Sequence, residues 1–248
     1  MTCFKDHFSE VAAAYAAHRP SYPPALADFL ARLAPAQNLA WDAGCGSGQL
    51  SLLLADRFQR VVASDASGEQ IAQARSHPKI EYRCAPAEAS ALPDGVVDLA
   101  TAAQAAHWFD LAAYYAEVGR VVRTGGILAL VSYGVVTVDA QLDAIIRLFY
   151  RDVLGPHWPP ERRHVDEGYR SLPFPFEELA APAFELRVEW RLADLVGYVG
   201  TWSAVWALER VEGPGPFTAF RGALADAWGP AETVRAVRWP LALRVGRV

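Results

Sequence analysis

Three glycines at alternate positions, Gly44, Gly46 and Gly48, follow a short apolar strand candidate and precede a helical pattern. Glycine lets the backbone approach a ligand closely and adopt positive φ angles, and the start of a helix leaves N–H groups free for a polar group. Asp65 ends the next strand candidate, where a carboxylate can accept both hydrogen bonds of a ribose diol. Asp42, just before the cluster, would attract a sulfonium or ammonium and repel a pyrophosphate. The pattern therefore favours a nucleoside that has a cationic tail.

The spacing of these glycines differs from the dinucleotide fingerprint G-x-G-x-x-G. Counted from Gly44, the third glycine of that fingerprint would fall on Gln49, and this chain has Gly48 instead. A nicotinamide-dependent oxidoreductase is therefore the weaker enzyme hypothesis, and it stays open. The structural alternative is a glycine-rich stretch that is only a tight turn; Asp42 and Asp65 make it less attractive.

His107 follows the fourth strand candidate and is the best candidate for a general base, because the ordinary pKa of a histidine, roughly 6.5, suits that role. The structural alternative is a histidine that packs under the cofactor or a lid and orients its neighbours. Gln104 is expected to contact the tail of the cofactor. Arg19 and Tyr15 form a second candidate catalytic cluster, for which the alternative is a surface turn with buried tyrosines.

Arginines offer a way to bind an acidic substrate. A carboxylate could be held in two-point contact by Arg19, Arg162, Arg163 or Arg170. Such a substrate is already ionised at neutral pH and needs no base, whereas a hydroxyl or amine would make more use of His107. The structural alternative for the run at positions 162–164 is a solvated helix face.

No metal site is predicted. The three cysteines include no CxxC pair, and no HExxH pattern is present. His157, His164 and Asp166 lack the tight spacing of metal ligands. The cysteine pattern also favours a reducing compartment over a disulfide-stabilised exterior.

Composition limits the expected partners. Lys and Arg total 23 against 28 Asp and Glu, a net charge of −5, which argues against a general nucleic-acid-binding protein. Apolar runs are far shorter than the roughly 18 residues that span a bilayer, so no membrane partner is expected. We expect a cytoplasmic protein with a small-molecule substrate, present as a monomer or weak homodimer.

Short apolar runs alternate with amphipathic stretches through the first half of the chain, which predicts a parallel α/β sheet. The strand candidates are 39–41, 61–65, 80–84, 96–102 and 127–133, and the helix candidates between them are 49–58, 67–74 and 111–122. Further on, the pattern predicts a helix over 139–154 and an ordered proline-rich loop or lid over 155–182. A strand over 184–192 and one helix from Asp194 towards Leu208 follow. The last strand, over 239–245, is expected near a sheet edge.

Several of these stretches together resemble class I S-adenosylmethionine-dependent methyltransferases of the type 11 group. The matching segments are Trp41–Gly48 for motif I, Asp65 for the ribose-binding acid, Ala87-Glu88 with Leu92-Pro93 for the adenine segment, 98–101 for the fourth strand and 120–126 for the turn before the fifth. Tyr15, 19–23, Gln104, 107–109 and 158–164 also resemble trans-aconitate methyltransferase-like proteins. Pro86 departs from the pattern, because it lacks the N–H that a residue beside the adenine would have.

The resemblance implies a Rossmann-like, doubly wound α/β fold. Its seven strands would have the order 3-2-1-4-5-7-6, with the last strand antiparallel and a helical, proline-rich lid inserted. One domain would span residues 1–248, divided into N-terminal cap helices at 1–37, a cofactor-binding core at 38–134, the lid at 135–183 and C-terminal strands and helix at 184–248.

The implied function is methyl transfer from S-adenosyl-L-methionine to a small molecule by in-line displacement, on an oxygen or a carboxyl group, leaving S-adenosyl-L-homocysteine. The expected cofactor-binding residues are Asp42, Gly44, Cys45, Gly46, Gly48, Asp65, Ala66, Ala87, Glu88 and Gln104, and the catalytic candidates are His107, Tyr15 and Arg19. The non-enzyme alternative is a module that binds the nucleoside without turnover.

Overall fold

The computed structural model describes residues 21–248. The first helix, α1 (Pro24–Leu33), starts with a proline at its first position, where the missing N–H costs no helical hydrogen bond. Its residues Leu26 and Leu30 are fully buried. Tyr15, Arg19 and most of the predicted N-terminal cap lie outside the described residues.

Five parallel strands with their connecting helices form the first half of the sheet. The strands are β1 (Leu39–Ala43), β2 (Arg60–Asp65), β3 (Ile80–Cys84), β4 (Val97–Ala103) and β5 (Val122–Tyr133), and the helices are α2 (Gln49–Ala55), α3 (Gly68–Ala72) and α4 (Leu111–Val121). Ser67 caps α3, because its hydroxyl accepts from the Gln70 amide. The strands order as β3-β2-β1-β4-β5, as predicted.

The long strand β8 (Arg235–Arg247) lies antiparallel to β5, from the pair Ile127–Arg247 to the pair Tyr133–Leu241. Two short strands pair with its other side. β6 (Glu177–Leu179) lies beside its end and β7 (Glu185–Trp190) beside its beginning. The position expected for strand six is thus shared by two strands, and the predicted α/β Rossmann-like sheet with an antiparallel last strand is confirmed.

The last strand lies near an edge of the sheet, as predicted, because the side of β8 that faces away from β5 is covered by the short strands β6 and β7. One local prediction is wrong. The predicted single helix from Asp194 is two helices, α7 (Leu192–Gly200) and α8 (Ser203–Glu212), followed by α9 (Gly215–Trp228). The break falls at Trp202, which has extended backbone angles, after a turn in which the Thr201 hydroxyl donates to the Tyr198 carbonyl at 2.7 Å.

Residues 135–183 pack against the sheet and the C-terminal helices. The predicted helix over 139–154 is α5 (Ala140–Leu148), capped by Asp139, and it continues into a wider π-type turn over Phe149–Val153. A 3₁₀ turn (Gly155–His157) and α6 (Arg162–Asp166) follow. Tyr169 in this segment is fully buried, so the proline-rich stretch is ordered as expected.

The sheet is covered on both faces. Successive residues of β5 alternate between two hydrophobic cores: Ile127 and Ala129 pack with Leu54 of α2, whereas Leu128 packs with Tyr114 of α4. The carboxyl ends of the parallel strands are therefore the edge that is left for loops and ligands. Within residues 21–248, no helix combines the length and apolar character needed to cross a membrane.

Candidate functional site

The glycine cluster forms the turn from β1 to α2. Gly44, Gly46 and Gly48 all have positive φ angles, of 65°, 55° and 87°. A Cβ atom at Gly44 would lie 2.5 Å from the Ala105 Cβ, and one at Gly48 would lie 2.5 Å from the Tyr82 hydroxyl. Both sterics and backbone angles therefore require glycine, and the turn presents bare backbone at the carboxyl end of the sheet.

Asp65, at the end of β2, holds this turn. Its Oδ2 accepts the Gly46 amide at 2.9 Å and its Oδ1 accepts the Ser67 amide at 2.9 Å. Burial raises the pKa of Asp65, and the two amide bonds oppose that shift. Each oxygen has a further acceptor position, so the carboxylate can still bind a pair of hydroxyls.

Asp42 lies behind the turn and is only 1% exposed. One oxygen accepts from the Ser51 hydroxyl at 2.6 Å and the other from the Thr101 hydroxyl at 2.7 Å. Burial raises the pKa of Asp42 to about 6, against the effect of these hydroxyls, and the charge of Asp65 adds to the rise. The acid is therefore a buried charge at neutral pH, in a place where a nearby cation would be favourable.

The turn also contains Cys45, whose amide donates to the Ser64 carbonyl at 3.0 Å. Burial raises the pKa of the Cys45 thiol well above its ordinary value, so the group stays neutral. Ala66 follows Asp65, and its carbonyl accepts from the Cys84 thiol at 3.6 Å. The structure thus brings these predicted residues together with the glycines along one edge of β1 and β2.

The predicted adenine segment is tied to α4. The Asp110 amide donates to the Glu88 carboxylate at 2.9 Å, and Ala87 is buried. Glu117 accepts both the Ser90 amide at 2.8 Å and the Ser90 hydroxyl at 2.6 Å. Hydrogen bonding to Arg120 first, and to Ser90, lowers the pKa of Glu117 to about 2. The ionised side chain of Glu117, together with the contact of Glu88, therefore fixes the loop that follows β3.

Gln104, just after β4, has a positive φ of 53°. The Nε2 group of its side chain donates to the Tyr133 carbonyl at 2.8 Å, and this hydrogen bond fixes the direction in which the side-chain oxygen points. That oxygen, Oε1, is buried and has no hydrogen-bond partner among residues 21–248. A desolvated acceptor of this kind is costly unless a ligand supplies a donor.

Gln104 and His107 line a cavity of about 60 Å³. Its walls are mainly aromatic, formed by Trp108, Tyr133, Trp158, Tyr198 and Trp202. The His107 Nδ1 lies 2.8 Å from the Tyr169 hydroxyl. Burial, with the nearby positive charges of Arg162 and His164, lowers the pKa of His107 to about 3. The imidazole is therefore neutral at neutral pH.

Of the four arginines considered for an acidic substrate, Arg162 lines the cavity. Its Nε donates to the Tyr150 hydroxyl at 2.7 Å, and its guanidinium lies 4.9 Å from the centre of the Trp158 ring. Arg163 and Arg170 are exposed, and Arg19 lies outside the described residues. Among residues 21–248, His, Cys, Asp and Glu form no group of three or more that could hold a metal ion.

Several residues of the site were not singled out from the sequence. Ser51, Thr101, Glu117 and Tyr169 are polar residues within ordinary helix, strand and loop patterns. Their importance depends on tertiary contacts, with Asp42, with Ser90 and with His107, which no local pattern encodes. The feature of the sequence that could have pointed to Ser51 is its hydroxyl group in the first turn of α2.

The chain is similar to known proteins. A family model described as a methyltransferase domain matches residues 41–130. A Dictyostelium discoideum protein named as a methyltransferase is 34% identical over 206 residues, which are 82% of this chain and 78% of the relative. An uncharacterised methyltransferase of Mycobacterium tuberculosis is 35% identical over 195 residues, or 77% and 74% of the two chains.

Solved structures show the same fold. One from Anaeromyxobacter dehalogenans, designated a type II methyltransferase, superposes with a TM-score of 0.88 at 50% identity, over 92% of this chain and 97% of that one. Another, from Bacillus halodurans, has a TM-score of 0.54 at 20% identity, over 90% and 97% of the chains, and so resembles this chain in fold alone. The sequence matches include the glycine turn and the strands that flank it.

Proposed function

The chain belongs to the class I S-adenosylmethionine-dependent methyltransferases, and from this premise we propose that it methylates a small molecule held in the cavity beside His107. The predicted family and enzyme class are confirmed by the relatives that the chain matches over most of its length. The acceptor and the residues that bind it are proposals. They are supported by the contacts around the cavity.

The residues at the sheet edge fit S-adenosyl-L-methionine. The turn Gly44–Gly48 would offer its backbone to the ligand at the carboxyl ends of the strands, where the fold leaves a ligand its place. Asp65 would hold the ribose hydroxyls, with Ala87 and Glu88 beside the adenine. The orphaned Oε1 of Gln104 would accept from the amino group of the tail, and Asp42 would balance its positive charge. When bound, the cofactor supplies a methyl group on a sulfonium centre.

The acceptor that these residues favour is a small carboxylic acid with a flat apolar part. The observation that supports this most directly is Arg162, a guanidinium at the wall of an aromatic cavity. Arg162 Nε donates to the Tyr150 hydroxyl and lies 3.4 Å from the Asp166 carboxylate, and the terminal nitrogens would contact the carboxylate of the acceptor. A cavity of about 60 Å³ suits the reacting group and the atoms next to it rather than a polymer chain.

This acceptor class agrees with the state of His107. A pKa of about 3 makes His107 a poor base, whereas an ionised carboxylate has no proton to lose. The chain would then act by orienting the carboxylate with Arg162 and by excluding water with the aromatic walls. The earlier alternative, an acceptor hydroxyl deprotonated by His107, would need a stronger base than this histidine.

The predictions about the partners of this protein rest on its composition. A net charge of −5 supports a small-molecule acceptor over a nucleic acid. The domain limits, the cytoplasmic location and the monomer or weak homodimer remain predictions. The family match does not favour the alternatives, a nicotinamide-dependent enzyme or a binding module without turnover, and the following experiment tests the cofactor and the turnover directly.

Calorimetric titration with S-adenosyl-L-methionine, S-adenosyl-L-homocysteine and NAD tests the cofactor. We expect the first two to bind and NAD not to bind. Methyl transfer to a panel of small carboxylic acids, each paired with its alcohol and amide, then tests the acceptor. Turnover of the acids with little turnover of the alcohols would support the proposal, and consumption of alcohols alone would contradict it.

Arg162→Gln and Arg163→Gln form a matched pair for this assay, because only the first residue lines the cavity. Loss of a charge-assisted contact should raise the KM of Arg162→Gln for an acid by roughly tenfold or more. Arg163→Gln should behave as the wild type. Cofactor binding should be unchanged in both variants, and equal effects of the two substitutions would contradict the role of Arg162.

A further inference from the structure

Tyr169 contacts His107. It belongs to the covering segment, residues 155–182, in which Trp158 and Arg162 line the cavity. Its hydroxyl lies 2.8 Å from His107 Nδ1, and the two rings are tilted with centroids 5.8 Å apart. Tyr169 is fully buried. It also has a positive φ of 62°, which is costly for an aromatic residue and shows that the surroundings dictate its position.

The sheet holds Tyr169 in place through its backbone. The Tyr169 amide donates to the His164 carbonyl at 2.7 Å, and its carbonyl accepts from the Arg244 guanidinium of β8 at 3.1 Å. The same guanidinium donates to the Leu172 carbonyl at 2.7 Å. A Cβ atom at Gly168 would lie 2.8 Å from the Ala242 Cβ, so the chain here is pressed against β8. The phenol is therefore positioned independently of any ligand.

The direction of the hydrogen bond follows from the burial of the phenol. Tyr169 is fully buried, and a buried hydroxyl hydrogen needs an acceptor. Burial raises the pKa of Tyr169, so the phenol keeps its single hydrogen. Among residues 21–248, the acceptor recorded for that hydrogen is His107 Nδ1. Because neutral imidazole has one N–H, the hydrogen of His107 is then on Nε2.

We propose that Tyr169 is a positioning residue that fixes His107 as the Nε2–H tautomer, so that His107 donates a hydrogen bond to the acceptor molecule in the cavity. Nε2 has no partner among the described residues, and the His107 ring lines the cavity. His107 and Arg162, which both line the cavity, would then supply two donors to one ligand. Two donors suit the two oxygens of a carboxylate, and this consequence rests on the proposed function.

The tautomer can be measured without cofactor or substrate. Nitrogen-15 imidazole NMR of the wild-type protein at neutral pH should show the His107 hydrogen on Nε2. In Tyr169→Phe the partner of Nδ1 is lost, and we expect a mixture of tautomers or the Nδ1–H form. A wild-type Nδ1–H tautomer, or an unchanged tautomer in Tyr169→Phe, would overturn the proposal.

Tyr115→Phe is the matched control, because the Tyr115 hydroxyl also bonds to the covering segment, at the Pro173 carbonyl 2.7 Å away. That variant loses a similar hydrogen bond and should leave the tautomer of His107 unchanged. A change of tautomer in Tyr115→Phe would show that loosening of the segment alone is responsible, which would overturn the specific role of Tyr169.

Two substitutions at His107 keep the proposal testable if Tyr169→Phe fails to fold. The side-chain amide of Gln can replace an Nε2–H donor but cannot act as a base. His107→Ala should therefore raise the KM of the acceptor by roughly tenfold, and His107→Gln should restore part of that loss. Equal loss in both variants, with intact cofactor binding in calorimetry, would contradict a donor role. If the wild-type protein did not bind S-adenosyl-L-methionine in calorimetry, that result would instead contradict the proposed function.

Discussion

The Asp65 carboxylate and the Gly46 amide are hydrogen-bonded at 2.9 Å across the carboxyl ends of β1 and β2. The acid proposed to bind the ribose therefore also holds the glycine turn that would lie against the rest of the nucleoside. Since the other oxygen of Asp65 accepts the Ser67 amide, the two strand ends and the cap of α3 are joined before any ligand binds. The site is thus preorganised, and a change at Asp65 affects both the ligand contact and the turn.

Asp65→Ala is expected to weaken the binding of S-adenosyl-L-methionine and S-adenosyl-L-homocysteine alike. Hydrogen bonds to a charged group contribute about 1.5–3 kcal/mol, so the Kd should rise by roughly tenfold to a hundredfold in calorimetry. Asp56→Ala is the control, because that side chain is 61% exposed and forms only a 3.3 Å pair with Arg57. An unchanged Kd in Asp65→Ala would refute the ribose assignment.

Substitution by alanine is expected to have opposite effects on the free energy of unfolding at Gly48 and at Gly119. Gly48 has a φ of 87°, and an added Cβ would lie 2.5 Å from the Tyr82 hydroxyl, so Gly48→Ala should lower the free energy of unfolding by about 1–2 kcal/mol or more. Gly119 is within α4 and nothing lies within 4 Å of an added Cβ. Gly119→Ala should raise the free energy of unfolding by about 0.5–1 kcal/mol.

Urea unfolding of both variants measures the difference, and calorimetry with S-adenosyl-L-homocysteine shows whether the turn still binds. We expect only Gly48→Ala to lose affinity. If the two variants had the same stability, the strained backbone at Gly48 would have no energetic consequence.

Glu117→Gln tests whether the loop after β3 depends on one ionised side chain. The variant should be less stable at pH 7 by roughly 1–2 kcal/mol, after allowing for the partial exposure of Arg120. Glu117 has a pKa of about 2 in the folded protein against 4.5 ordinarily, so its contribution is present above pH 4.5 and is lost as the pH falls towards 2.

The stability difference between the wild type and Glu117→Gln should therefore shrink between pH 5 and pH 3 in thermal or urea unfolding. Glu185→Gln, an exposed residue of β7, is the control and should have little effect at either pH. If Ser90 positions the adenine segment, the Glu117 variant should also bind cofactor more weakly. A constant difference across this range would contradict the ionic origin of the contact.

The sequence was informative where local patterns decide the structure. β3 has the predicted limits, Ile80–Cys84, and Asp65 ends its strand as expected. The prediction failed where distant contacts decide. It missed β6, a strand of three residues, because the pairing of β6 with β8 is a contact between distant parts of the chain that its weak local pattern does not indicate.

The role of His107 shows the same division within the site. Its position after β4 identified it, but its pKa and its tautomer depend on burial and on Tyr169, which is far away in the chain. A lone histidine in a sequence carries an ordinary pKa by default. Only the folded arrangement distinguishes a donor from a base.

Asp42→Asn is expected to increase stability and to decrease cofactor affinity, in a pH-dependent way. Because its folded-state pKa is about 6 and its ordinary value is 3.8, the carboxyl of Asp42 contributes stability below pH 4 that is lost as the pH rises through 6. Asn keeps partners at Ser51 and Thr101 without the buried charge. Urea unfolding should therefore show the variant more stable at pH 8 by about 1.5–3 kcal/mol and nearly equal at pH 4, whereas exposed Asp152→Asn should match the wild type at both. Cofactor affinity at pH 8 should fall, since the positive tail loses its counter-charge; a variant less stable than the wild type at pH 8 would refute this account of the buried acid.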